Sequence, residues 1–67
     1  MAEARPGRFG YEQIVAQIER LRREAAHPGE LDRRRVLARL CTAFAAEEPL
    51  LLERGFDRAY RRIVEGV

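Results

Sequence analysis

Apolar residues recur at helical spacing in three segments of the chain. In the first segment, from Tyr11 to Ala26, steps of three and four residues place the apolar side chains in one arc about 120° wide, as in an amphipathic helix. These side chains are Tyr11, Ile14, Val15, Ile18, Leu21 and Ala25. His27-Pro28-Gly29 predicts the end of this helix, because a residue before proline avoids the helical conformation and glycine turns freely. We expect the His27 imidazole to bond the last carbonyl groups of the helix.

The second and third segments have the same kind of pattern. A helix is predicted from Glu30 to about Ala46, with an apolar stripe made of Val36, Leu37, Leu40, Cys41 and Phe44. A third helix is predicted to begin at Pro49, because a proline fits the first helical position and the preceding glutamates suit the positive end of the helix dipole. Its apolar stripe is Leu52, Phe56, Ala59, Tyr60, Ile63 and Val64.

Gly55 lies inside the third predicted helix. A glycine in a helix costs about 1 kcal/mol relative to alanine, so its presence indicates close packing or a kink. The alternative is a break at Gly55, after which the helix restarts with Asp57 as its cap.

Three amphipathic helices joined by short links predict an all-α fold, a small antiparallel three-helix bundle. Residues 10–67 would form this single domain, and residues 1–9 would form a short flexible N-terminal arm, because they are small, charged and aperiodic. Phe9 and Tyr11 are placed to pin the end of the arm to the core. The sequence has no alternating strand pattern and no hairpin signal.

Length limits the function. A chain of 67 residues buries only about 60% of its unfolded surface, so its core is marginal and association with another chain would deepen it. This length excludes a multidomain enzyme, and the single cysteine excludes a disulfide scaffold. A membrane span is not expected, because the longest purely apolar run is Leu50-Leu51-Leu52.

The inventory of reactive side chains argues against catalysis. The chain has one histidine and one cysteine, and the fold predicted above separates His27 from Cys41. We therefore expect no enzymatic activity from the chain alone, no cofactor, no metal site and no small-molecule substrate. One unpaired cysteine and the lack of an apolar leader in residues 1–10 predict a cytoplasmic location.

The charged residues supply the first candidate binding surfaces. All 13 basic residues are arginines, 11 residues are acidic, and the net charge is +2. Arg33 falls within the apolar arc of the second helix, so it must extend to solvent, meet a partner or pair with another residue, for which a glutamate of the first helix is the expected choice. Arg33, Arg34 and Arg35 also lie near the helix end that disfavours cations, which makes them a candidate anion-binding site.

Helix 3 supplies a second candidate surface. Four arginines fall in one arc of about 100° facing away from the core, namely Arg54, Arg58, Arg61 and Arg62. Leu50 and Leu51 fall outside the apolar arc of this helix. They are either part of a loop folded over the end of the bundle or an exposed apolar patch, which on a small protein usually marks a partner.

These features give three hypotheses. The first is a non-catalytic helical protein-protein interaction module, acting as a homo-oligomer or as a small accessory or regulatory subunit of a larger bacterial assembly; Arg33, Arg34, Leu50, Leu51 and the four arginines of helix 3 are its candidate contacts. The alternative is a small arginine-rich nucleic-acid-binding regulator, whose binding would weaken steeply with salt. The third is an enzyme subunit that lends Arg33 or a helix 3 arginine to the anionic site of another chain.

Overall fold

The computed structural model describes residues 9–66. These residues form four α-helices, one 3₁₀ helix, one π-helical turn and no strand: α1 is Tyr11–Glu24, the 3₁₀ helix is Pro28–Leu31, α2 is Arg33–Phe44, α3 is Glu48–Glu53, α4 is Phe56–Tyr60, and the π-helical turn is Arg61–Glu65. The all-α prediction is confirmed. The predicted third helix is divided into α3 and α4, so the predicted count of three helices is not confirmed. The predicted arm lies outside the described residues, apart from Phe9.

The first helix is shorter than predicted at its C-terminal end. It ends at Glu24, where the Ala25 N–H donates to the Leu21 carbonyl at 2.9 Å. The carboxylate of Glu30 accepts a hydrogen bond from the Ala26 N–H at 3.2 Å. His27 is exposed beyond the helix end, with its Nε2 atom 3.5 Å from the Glu30 carboxylate. The expected bond from His27 to the carbonyls of α1 is therefore replaced by a contact with Glu30.

The second helix is bounded at both ends by local backbone features. It begins after Asp32, whose side chain accepts a hydrogen bond from the Arg34 N–H at 3.1 Å, as an N-cap does. At the other end Ala45 adopts a left-handed conformation, with φ 54°. The N–H of Ala45 donates to Thr42 at 3.3 Å, and that of Ala46 donates to Cys41 at 3.0 Å. This pair of bonds is the Schellman motif, in which glycine usually holds the left-handed position.

The chain breaks at Gly55, which confirms the break considered as the alternative for this position but not the predicted cap. Gly55 has φ 97° and is the N-cap of α4, so Asp57 is not the cap. The backbone of Gly55 also packs directly against Tyr11. A Cβ atom at residue 55 would lie 2.8 Å from Cδ1 of the Tyr11 ring, which is too close for ordinary contact. Gly55 is thus required both by its backbone conformation and by its neighbour.

One hydrophobic core joins the helices and Phe9. Its buried residues are Phe9, Ile14, Ile18, Val36, Leu37, Leu40, Leu51, Phe56, Ala59, Tyr60 and Ile63. The prediction that Leu52 belongs to the core is wrong, because Leu52 is 41% exposed and its neighbour Leu51 is fully buried. A helical wheel continued through residue 55 gives α3 the wrong phase, since the left-handed turn at Gly55 rotates α3 relative to α4.

Ala45→Gly tests the strain at the end of α2. Glycine adopts the left-handed conformation without the steric penalty of alanine, so we expect stability to rise by about 1 kcal/mol, which corresponds to about 4–8 °C in Tm for a domain of this size. Circular dichroism during thermal unfolding measures the change. Ala43→Gly, at an exposed position inside α2, is the control and should lower stability by about 1 kcal/mol. Equal destabilisation by both variants would contradict the assignment of strain to Ala45.

Gly55→Ala tests the turn between α3 and α4. We expect a loss of at least about 2 kcal/mol, because alanine is strained at this φ and its methyl group would displace the Tyr11 ring. Gly66→Ala is the matched control, because Gly66 also has a positive φ, of 72°, but nothing within 4 Å of the added carbon. Urea unfolding of both variants separates the cost of placing alanine at a positive φ from the cost of displacing the Tyr11 ring. Similar losses would mean that the Tyr11 contact contributes nothing.

Candidate functional site

Arg33 is held by residues of α4. Its Nε and Nη2 atoms both lie 2.7 Å from Oδ1 of Asp57, and its guanidinium group lies over the Phe56 ring at 5.6 Å from the centroid. The expected pairing with a glutamate of the first helix is therefore wrong. Both side chains of the ion pair are about half exposed, so the pair is worth no more than about 1 kcal/mol.

Tyr60 closes the same end of the core. Its hydroxyl group donates a hydrogen bond of 2.5 Å to the Leu31 carbonyl, at the end of the 3₁₀ helix. Burial raises the pKa of Tyr60, and the carboxylates of Glu65 and Asp32 raise it further against the opposing charge of Arg33. The neutral hydroxyl is thereby kept as a donor. Tyr60 is a structural residue and is buried, as the sequence predicted.

The four arginines predicted to share one face of helix 3 lie on both sides of the break at Gly55 and make different contacts. Arg54 is half-buried, donates to the Phe9 carbonyl and lies over the Phe9 ring at 5.0 Å. Arg58 lies over the Tyr11 ring at 5.1 Å. Arg61 and Arg62 are exposed and form no hydrogen bond or ion pair with any residue from 9 to 66. The break at Gly55 separates Arg54 from the other three.

Phe9 is the point at which the N-terminal segment joins the core. Its ring stacks on Phe44 with centroids 4.3 Å apart and contacts the Arg54 guanidinium as well. It is 7% exposed. The expectation that Phe9 anchors this segment is confirmed.

The leucines of α3 are placed differently from the prediction. Leu51 is fully buried, so it cannot contact a partner while the chain is folded in this way. Leu50 is half-buried and packs against the core. Leu52 is the one large hydrophobic residue that is exposed among residues 9–66. The interpretation of Leu50 and Leu51 as an exposed patch is therefore wrong for Leu51, and Leu52 replaces it as the exposed candidate.

A groove between α1 and α2 is a feature that the sequence analysis missed. It has a volume of about 490 Å³ and is lined by Leu21, Glu24, Ala25, Glu30, Arg35, Ala38 and Arg39. A second hollow of about 290 Å³ shares Leu21, Glu24 and Arg39 with it and extends the groove towards Gln17 and Thr42. The sequence signal was the small residue Ala38 between two arginines, on the face of α2 that meets α1.

Two arginines of the groove, Arg35 and Arg39, have no ion-pair partner within the described chain, while the lining as a whole holds two arginines and two glutamates. Of its two acidic side chains, Glu24 pairs with Arg20 at 3.2 Å and Glu30 contacts the Ala26 N–H. Arg35 and Arg39 form no hydrogen bond or ion pair with residues 9–66. A guanidinium group binds carboxylates with two parallel hydrogen bonds. The groove therefore offers two carboxylate-binding groups beside the apolar floor formed by Leu21, Ala25 and Ala38. We name the whole feature the α1–α2 groove.

The chemistry of the remaining side chains is limited. Among the described residues, no three histidine, cysteine or acidic side chains are grouped so that they could hold a metal ion. None of the helices in residues 9–66 is both long and apolar enough to cross a membrane. Comparisons with protein-family models, with curated proteins and with solved structures each find no match to the chain.

The environment of Cys41 gives a test of the local electrostatics. Burial raises the pKa of the Cys41 thiol above its ordinary value of 9.0, and the nearby charges of Glu48 and Glu47 raise it further. We expect the rate of alkylation by iodoacetamide to reach its midpoint at a higher pH in the folded chain than in the urea-unfolded chain, because the thiolate is the reacting form. Replacing Glu47 and Glu48 together by Gln should lower the midpoint, whereas Glu12→Gln should not. A midpoint at or below that of the urea-unfolded chain would contradict this account.

Proposed function

We propose that this chain is a non-catalytic protein-protein interaction module whose docking surface is the α1–α2 groove. One observation carries the proposal. The guanidinium groups of Arg35 and Arg39 have no ion-pair partner in the described chain, and both line a groove with an apolar floor. Such a surface suits a helix or loop that presents an apolar side chain next to carboxylates. The floor supplies contact area and the arginines supply orientation.

The proposal also covers the location, the assembly and the architecture of this small docking unit. The chain would act in the cytoplasm, as a homo-oligomer or as an accessory subunit. For this role α3 and α4 count as one bent third helix of an antiparallel bundle, with the α1–α2 groove on one side.

The two other hypotheses have less support. Nucleic-acid binding was suggested by arginines of which Arg33, Arg54 and Arg58 contact Asp57 or aromatic rings in their own chain. Lending Arg33 to another chain would require breaking its bond to Asp57. Arg34, Arg61 and Arg62 are exposed, and none of them lines the α1–α2 groove.

Site-specific photo-cross-linking tests the proposed function. A benzophenone amino acid in place of Ala38 puts the reactive group in the α1–α2 groove, and the same group in place of Glu12 puts it on exposed surface outside the groove. After irradiation of living host cells, mass spectrometry identifies the protein joined to each position. We expect an adduct from position 38 that is absent from position 12.

Charge reversal gives the matched control for that experiment. Arg39→Glu should lower the yield of the adduct at least about tenfold, which is about 1.4 kcal/mol in affinity. Arg22→Glu, which reverses an exposed arginine outside the groove, should leave the yield unchanged. No protein adduct at position 38, or an adduct that ignores Arg39→Glu, would remove the groove as the docking surface.

A further inference from the structure

The surface of α3 has the features that a ligand of the α1–α2 groove requires. Leu52 is 41% exposed, and Glu53 follows it directly, while Glu48 lies one helical turn before it. Glu47, Glu48 and Glu53 are exposed and form no hydrogen bond or ion pair with residues 9–66. We name Glu48, Leu52 and Glu53 the α3 knob. It presents one apolar side chain beside unmatched carboxylates.

The knob and the groove carry unpaired groups of opposite charge. In the groove, Arg35 and Arg39 have no ion-pair partner and lie beside apolar side chains, and in the knob Glu48 and Glu53 have no ion-pair partner and lie beside the exposed Leu52. No residue of α3 lines the groove of its own chain, so the knob does not fill that groove within one chain. The net charge of +2 is small, so overall repulsion between two copies is weak.

We propose that the partner of the α1–α2 groove is the α3 knob of a second copy of this chain. Leu52 would lie against Leu21, Ala25 and Ala38, while Glu48 and Glu53 face Arg35 and Arg39. This inference rests on the proposed function, because it names the occupant of the same groove. The contact joins two different surfaces, so it is head-to-tail and leaves every copy able to bind on both sides.

A charge-swap experiment tests the head-to-tail contact. The groove variant carries Arg35→Glu and Arg39→Glu, and the knob variant carries Glu48→Arg and Glu53→Arg. Sedimentation equilibrium is run up to about 1 mM, where even a weak interaction is half saturated. Wild-type chain should associate, each variant alone should sediment as a monomer, and the equimolar mixture should associate again. In the mixture each groove meets a knob of opposite charge, which neither variant provides alone.

Matched controls separate the contact from the change in net charge. Arg22→Glu with Arg23→Glu changes the net charge as the groove variant does, and Glu12→Arg with Glu19→Arg changes it as the knob variant does; all four residues are exposed and outside both surfaces. Both controls should associate like the wild type. Circular dichroism verifies that each variant is helical. Leu52→Gln is the milder variant for the knob and should raise the dissociation constant at least about tenfold without lowering Tm.

The outcomes distinguish this inference from the proposed function. A wild-type chain that stays monomeric, or a mixture that does not associate, overturns the inference. Association of the knob variant alone overturns it too, because that result indicates contact between two grooves. If the chain is monomeric while position 38 cross-links to a different protein, the self-docking inference fails and the proposed function stands. If position 38 gives no protein adduct, the proposed function fails.

Discussion

The left-handed turn at Gly55 is the constraint that organises the second half of the molecule. The turn removes the side chain at the point where Tyr11 approaches, so the start of α4 lies directly against the start of α1. From this point Phe56 and Ala59 enter the core, while Asp57 faces outward to bind Arg33. A residue with a Cβ atom would separate the two helices and disturb each of these contacts.

Arginines complete the edges of a core that is small. Guanidinium groups lie over the rings of Phe9, Tyr11 and Phe56, each about 5–6 Å from the centroid. A planar cation covers an aromatic face and keeps its polar edge in water, which a lysine ammonium group does less well. In a chain with so little buried volume, these cations extend the hydrophobic core to the surface. They contribute packing where the sequence suggested recognition.

The apolar stripes of α1 and α2 could be predicted because their period depends on local geometry alone. Ile14, Ile18, Val36 and Leu40 are buried as the pattern required. The phase of α3 could not be predicted, because the conformation of one residue, Gly55, decides which of two adjacent leucines faces inward. Contacts between residues far apart in the sequence could not be predicted either. Arg33 is an example, because its partner comes from α4 rather than from α1.

The groove illustrates the same limit for the candidate site. Periodicity identifies which residues avoid the core, but it does not show where two helix surfaces diverge enough to leave a space. Arg35 was recognised only as part of a basic run, and Arg39 was not singled out.

Phe9 has a consequence of a different kind, which concerns the order of folding. Its carbonyl and ring meet Arg54, 45 residues later, so this edge of the core stays open during synthesis until most of the chain has left the ribosome. This contact forms only when a loop of 45 residues closes, at an entropic cost that grows with the logarithm of the loop length.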